Sequence, residues 1–451
     1  MSDARSPIPP AVSLRTELGV LVGLSWPNSL AMFAFMGMNV VDAVTVGQLG
    51  ADAQAGVSSA MAWGLSGAIF GIGMVRAIEP IVAQAHGEGD ERAIAGALVR
   101  MLWLCAPLSV LVGAWHLAAG PALRYLEQPP SVVPMAEEFA FAMAFCWPAA
   151  LLLQTLRTFL QALGIVRPAM VAMLLGTAAK IPLNLLLIHG AGPVPALGVT
   201  GAAVSTCAID LGLLALLAWL VRATLRRYLG RGLATSAREV WSLFRVGLPL
   251  GVQMGTEFWA FSALVIMMGW LGKTEQAAHT VAINLASLAF MVPLGISMAA
   301  GARVGQLFGA GLAWGRAAGA SLLLGGAAQV ASGLAFLFLG PVLVLPYSSD
   351  VDVLEVAAVL MPIAAAFQLF DGLQVVGFGV LRGAGDVRVP TLANVLGYYA
   401  LGLPLGYWWG IRHGGGPTAI WWGISLGLAV VALVLLWRIR FVHRRGGVRI
   451  R

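Results

Sequence analysis

Charge is what this sequence has least of. Only 10% of its 451 residues are Asp, Glu, Lys or Arg, against about 25% in a soluble domain, which excludes a water-soluble globular fold. Cysteine is nearly absent. Cys105, Cys146 and Cys207 all fall in apolar runs, which reads as three small packing residues and no disulfide framework. No loop pairs His with Asp in the manner of a membrane-embedded transferase or hydrolase, and the glycines of LRGAGD follow no strand, so neither an enzyme site nor a dinucleotide fold is indicated. Nor is the net charge of +7 a nucleic-acid footprint, because the arginines sit beside apolar segments. The first apolar run is too long for a signal peptide and no A-x-A-like cleavage site follows it, so it is expected to remain in the mature protein.

What is abundant is apolar length. Hydrophobic residues make up 59% and the mean hydropathy is +0.87. At about 20 residues per crossing there is room for twelve helices joined by short loops. The turn signals place them at about 18–46, 54–84, 93–117, 138–163, 167–189, 201–223, 240–271, 276–308, 316–339, from the loop SSDVDVLE to 381, 390–410 and 418–442. Arg15, Arg92, Arg167, Arg226, Arg227, Arg231, Arg238, Arg316, Arg388 and the tail from Arg438 all fall at the termini or in even-to-odd loops. By the positive-inside rule both termini are then cytoplasmic.

The chain also repeats itself. Pro27 matches Pro249, Leu49-Gly50 matches Leu271-Gly272, and Val82-x-Gln84-x-x-Gly87-x-Gly89 matches Val304-x-Gln306-x-x-Gly309-x-Gly311, at a constant offset of 222. Pro168 and Pro182 match Pro390 and Pro404 at the same offset. An even number of helices per repeat gives both halves the same orientation, so residues 1–232 and 233–451 are expected to be two parallel six-helix lobes of an all-α membrane protein, in the manner of a transporter that rocks about a central cleft.

Ionisable residues inside apolar helices are costly and therefore point to function. Asp371 lies in helix 10 between Gln368 and Gln374. Glu257 is central in helix 7, with Gln253 one turn away. No Lys or Arg occurs at matching depth nearby, so this pair invites a cation, either H+ bound to carboxylates of raised pKa or Na+ on hard oxygen ligands. Asp42 on helix 1 has Asn39 on its own helix and Lys180 with Asn184, one turn apart, on helix 5. Lys180 there is either part of a coupling site or a static counter-ion. His279 and Asn284 on helix 8 are candidates to line the same cavity as Glu257. Arg76 and Glu79 read as a neutralised i, i+3 pair. Met32, Met36, Met38, Met254, Met267 and Met268 read as lipid-facing filler or an adaptable wall.

Three segments carry a family resemblance: P-x(10)-MNVVDAVTVGQLGADAQAG in helices 1 and 2, E-x(18)-QAAHxVAIN in helices 7 and 8, and QLFDGLQVVxxGVLRGxxDxRxP in helix 10. Together they resemble the multidrug and toxin extrusion (MATE) transporters, most closely their NorM-like bacterial branch. The resemblance implies a monomeric efflux antiporter of the bacterial inner membrane, surrounded by lipid and without catalytic turnover or a cofactor. It would export amphipathic, often cationic drugs and toxins against inward Na+ or H+. It further implies that Glu257, Asp371 and Asp42 are the coupling acids, with Glu257 and Asp371 holding the ion if it is Na+. Phe367 stands where that branch carries a tyrosine one turn before the helix-10 acid. A lipid-linked oligosaccharide flippase of the same superfamily is the alternative, against which the cavity acids argue.

Overall fold

The computed structural model describes residues 13–230, 235–445 and 449, so Arg231 and most of the basic tail beyond Arg445 lie outside the described residues. The helices are α1 Leu14–Gly47, α2 Ala51–Val75, α3 Ile78–Glu88, α4 Glu91–Leu117, α5 Ala119–Tyr125, α6 Val132–Ala144, α7 Trp147–Ala162, α8 Arg167–His189, α9 Gly198–Leu220, α10 Arg222–Leu229, α11 Ala237–Leu271, α12 Lys273–Gly309, α13 Gly315–Leu343, α14 Val351–Gly383, α15 Arg388–Val395, α16 Leu403–Gly406 and α17 Gly416–Arg445. Among the described residues, ten helical stretches are individually long and apolar enough to cross a membrane, and the bent pair α6–α7 makes an eleventh. The remaining segment expected from the sequence, 390–410, lies within 388–412, which is helical from end to end but alternates α turns with π turns at Leu396–Gly402 and Tyr407–Arg412.

Several expected helices are broken, each for a visible reason. The second span turns at Arg76, where the Arg76 N–H donates to the Gly73 carbonyl and the Ala77 N–H to the Met74 carbonyl, which closes α2. Glu79 then lies in α3, so Arg76 and Glu79 do not share one continuous helix. The fourth span begins six residues before its expected start and bends by 54° between α6 and α7. Cys146 sits at that bend and is joined by a disulfide to Cys207 of α9, with the two Cα atoms 4.9 Å apart. This corrects the cysteine expectation: a helix break that spacing does not reveal brings the two thiols together, while Cys105 is free and buried. Met32, Met38, Met267 and Met268 are buried packing residues, not lipid-facing ones. The start of α11 is a capping box, in which the Ser236 N–H donates to Glu239 (2.9 Å) and the Glu239 N–H donates to the Ser236 hydroxyl (3.4 Å).

Two compact units emerge. One comprises residues 30–82 and 91–251; the other contains the chain up to Ser29, 83–90 and 252–451. Inside the second unit the repeat appears as a reciprocal contact. A Cβ on Gly87 would overlap the Gln306 carbonyl, and a Cβ on Gly309 would overlap the Gln84 carbonyl. Residues 84 and 87 are the repeat mates of 306 and 309, so this is the self-complementary contact expected at a two-fold axis. The backbone carries the same signature: Gly50 and Gly272, Gly89 and Gly311, and Gly164 and Gly385 all have positive φ, a conformation that excludes most side chains. In the same unit α12 and α14 approach until Gly379 and Gly383 lie against the Ser297 and Gly301 carbonyls. Small residues at such contacts are how apolar helices gain packing when lipid supplies no hydrophobic drive. That contact fixes the height of Asp371, two turns earlier on α14.

Candidate functional site

The acids expected from the sequence fall into two separate clusters, one in each compact unit. In the unit containing 252–451, Asp371 is 6% exposed on α14, and the charge it feels is that of Glu257 on α11. Like charges in a low-dielectric interior repel strongly, so an ionised pair here is costly. Gln374, one turn along from Asp371, donates through Nε2 to Asn394 Oδ1 at 2.9 Å, and Asn394 donates to the Gln253 carbonyl at 3.3 Å. This chain of bonds fixes the Gln374 amide and leaves its Oε1 buried with no hydrogen-bond donor.

Tyr398 is the residue sequence reasoning missed. It is 1% exposed and lies within electrostatic reach of both Glu257 and Asp371. Its hydroxyl sits beside the Gln374 side chain without making a hydrogen bond of normal geometry. The π turn at Leu396–Gly402, closed by the Leu403 N–H on the Tyr398 carbonyl, presents it. Such insertions recur at functional positions. A strict helical period does not find it, because the π turn shifts its register. Phe261 packs edge-on against both Tyr398 (centroids 6.0 Å) and Phe367 (6.1 Å). Two unpartnered neutral oxygens and two carboxylates thus share one region.

Other expected cavity residues are placed differently. Gln368 is fully buried: its Nε2 donates to the Ala286 carbonyl of α12 at 2.8 Å, and its Oε1 accepts from Gln329 of α13 at 2.6 Å. It ties three helices together, with its side chain spent on α12 and α13. His279 is 1% exposed, lies edge-on to Trp421 at 5.7 Å, and has neither ring nitrogen hydrogen-bonded. Trp421 in turn packs on Phe367 at 5.5 Å. Asn284 and Asn39 are exposed side chains outside both hydrogen-bonded networks.

In the other unit Lys180 and Asn184 do converge on Asp42. Lys180 Nζ lies 3.1 Å from Asp42 Oδ1, and Asn184 Nδ2 donates to the same oxygen at 2.8 Å. Asn184 also donates to Thr45 Oγ1 at 2.9 Å, and Lys180 Nζ donates to Thr206 Oγ1 of α9 at 2.6 Å. Thr206 was not anticipated, although it stands one turn before Asp210 on α9. Asp210 senses Lys180, Arg157 and Asp42 in that order.

Comparison with known proteins agrees with the internal repeat. The MatE family model matches twice, at residues 27–186 and 249–408, so the second match is the first displaced by the same 222 residues as the sequence repeat. A probable multidrug resistance protein NorM of Burkholderia mallei is 35% identical, covering 99% of this chain and 97% of its own. A multidrug resistance protein NorM of Photobacterium profundum is 32% identical over 95% of this chain and 96% of its own. Among solved structures, an outward-facing multidrug resistance MATE family transporter of the MOP superfamily superposes with a TM-score of 0.86 at 20% identity, over 95% of this chain and 96% of that one.

Proposed function

The chain belongs to the multidrug and toxin extrusion family, with NorM-like relatives, and from that membership we propose that it is a multidrug efflux antiporter. It exports amphipathic, often cationic compounds from the cytoplasm in exchange for inward Na+ or H+. It works by alternating access, as a monomer in the bacterial inner membrane with both termini cytoplasmic.

The observation that carries the reading is the carboxylate pair Asp371 and Glu257 within one compact unit. In the cycle, an outward-open state admits the coupling ion to these acids. Neutralisation weakens their hold on a cationic substrate, which leaves; after the inward swing the ion departs and the recharged acids draw a new cation. Exchange follows because the two ligands have different affinities for the two states. A lipid-linked oligosaccharide flippase would want a cationic cavity, and the acids disfavour it. The test is flux of a fluorescent organic cation in proteoliposomes, with Na+ and pH gradients imposed separately. Uphill movement driven by either gradient is the expected result, and movement indifferent to both overturns the reading.

Within the site, Tyr398 stands in for the hydroxyl that Phe367 lacks. With Gln374 Oε1 it adds two neutral oxygens to the two acids, an oxygen-only set of the kind hard cations prefer. Replacing Tyr398 with Phe keeps the ring and removes one ligand. The Na+ concentration for half-maximal export is expected to rise about tenfold, while export driven by a pH gradient changes less than about twofold. An unchanged Na+ dependence would show that the hydroxyl is not a ligand.

A further inference from the structure

The Asp42 cluster has the chemistry of a monovalent-cation site. Asp42 Oδ1 and Thr206 Oγ1 are both within hydrogen-bond distance of one ammonium, that of Lys180. Asn184 is fully buried, with both amide hydrogens committed to Asp42 and Thr45 and its own Oδ1 left without a partner. Carboxylate, hydroxyl and amide oxygens are the ligands that replace the hydration shell of a hard cation. The cation here is covalently attached: Lys180 is 1% exposed, and its side chain ends among these oxygens instead of reaching toward water.

We propose that Lys180 is a tethered cation that permanently fills a Na+-type site in the unit formed by residues 30–82 and 91–251. Ion exchange is thereby left to Glu257 and Asp371. The surrounding charges favour this assignment. Asp42 and Asp210 carry two negative charges, Lys180 and Arg157 two positive ones, and each acid has a cation within electrostatic reach. The cluster is therefore neutral without any added ion. Lys180 excludes competitors by occupancy: its ammonium is covalently held within hydrogen-bond distance of Asp42 and Thr206 and does not diffuse away. The sequence alone left Lys180 open as a coupling group or a static counter-ion. The geometry assigns it a third role, that of the ion itself.

Removing the ammonium while leaving the oxygens should open the site. Equilibrium binding of radioactive Na+ to purified full-length protein is the measurement, made on wild type, Lys180→Ala, and Lys180→Ala with Asp42→Asn. Lys180→Ala is expected to bind about one further Na+ per chain than wild type, and adding Asp42→Asn to return the count to the wild-type value. An equal count in wild type and Lys180→Ala overturns the proposal. Should Lys180→Ala fail to fold in sodium-free buffer, purification in NaCl against choline chloride at matched ionic strength decides. Rescue by Na+ alone supports the proposal, because the ion then binds the folded state selectively; equal loss in both salts overturns it. Only the functional consequence rests on the antiporter reading. Binding is counted without transport, so a wild type that moves no drug would sink that reading and leave this one standing.

Discussion

Asparagine in place of Asp371 is expected to abolish drug export without weakening the protein. The substitution keeps the size and one carbonyl oxygen while deleting the charge, so the packing of α14 against α12 at Gly379 and Gly383 is untouched. What disappears is the ability to hold a cation opposite Glu257. Interactions with a charged partner are worth about 1.5–3 kcal/mol each, so substrate and coupling ion both lose roughly one to two orders of magnitude in affinity at this site. Because the proposed exchange depends on both ligands competing there, flux should fall to leak. Stability should move the other way. Asp371 is buried, and the charge acting on it is of the same sign, so neutralising it relieves repulsion. The measurement pairs fluorescent-cation flux with a thermal melt of the purified variant. A melt at or above the wild-type midpoint with no flux is the expected combination. Wild-type flux would remove Asp371 from the coupling mechanism. Lost flux with a collapsed melt would make the acid a packing element.

The acids were legible because a carboxylate in an apolar helix stands out whatever surrounds it. Asp371, Glu257 and Asp42 needed only hydropathy and depth, and the repeat needed only matched glycines and prolines. Partners were harder. Lys180 and Asn184 were found because helical spacing puts them on one face, and both reach Asp42 Oδ1. Gln368 followed the same rule yet turned to α13 and α12, since spacing fixes which residues share a helix face but not which neighbour that face meets. Tyr398 was hidden for a related reason. Its placement depends on a π turn, which shifts the register by one residue and defeats a strict 3.6 period. The Cys146–Cys207 disulfide, at a separation of 61 residues, depends on a bend that apolar periodicity does not record. Fold and acids were therefore written in composition and period, while the ligands around the acids were set by helix irregularities and tertiary contact.

A further hidden contact, of longer range than these, carries the largest expected effect on stability. Glu17 in the first turn of α1 is fully buried, and Arg303 of α12 is 3% exposed against it. The guanidinium donates twice, Nε to Oε2 at 2.9 Å and Nη2 to Oε1 at 2.6 Å. The planar fork of arginine matches a carboxylate in this way and lysine does not. The bond spans 286 residues of sequence and anchors the start of α1 inside the unit that contains 252–451. A buried pair of this kind adds little over a well-packed apolar pair, but breaking it strands a charge at a cost of about 3–5 kcal/mol. That is a large share of a total stability of about 5–15 kcal/mol. Arg303→Met alone should therefore lower the thermal midpoint sharply, because it strands the buried Glu17 carboxylate, and Glu17→Met alone should lower it as well. The double variant Glu17→Met with Arg303→Met should recover most of the loss, because neither charge is then left behind. The cycle is read from melts of the three variants beside wild type. Additive losses in the double variant would mean that the two residues act independently, and that the carboxylate and the guanidinium are held by other neighbours.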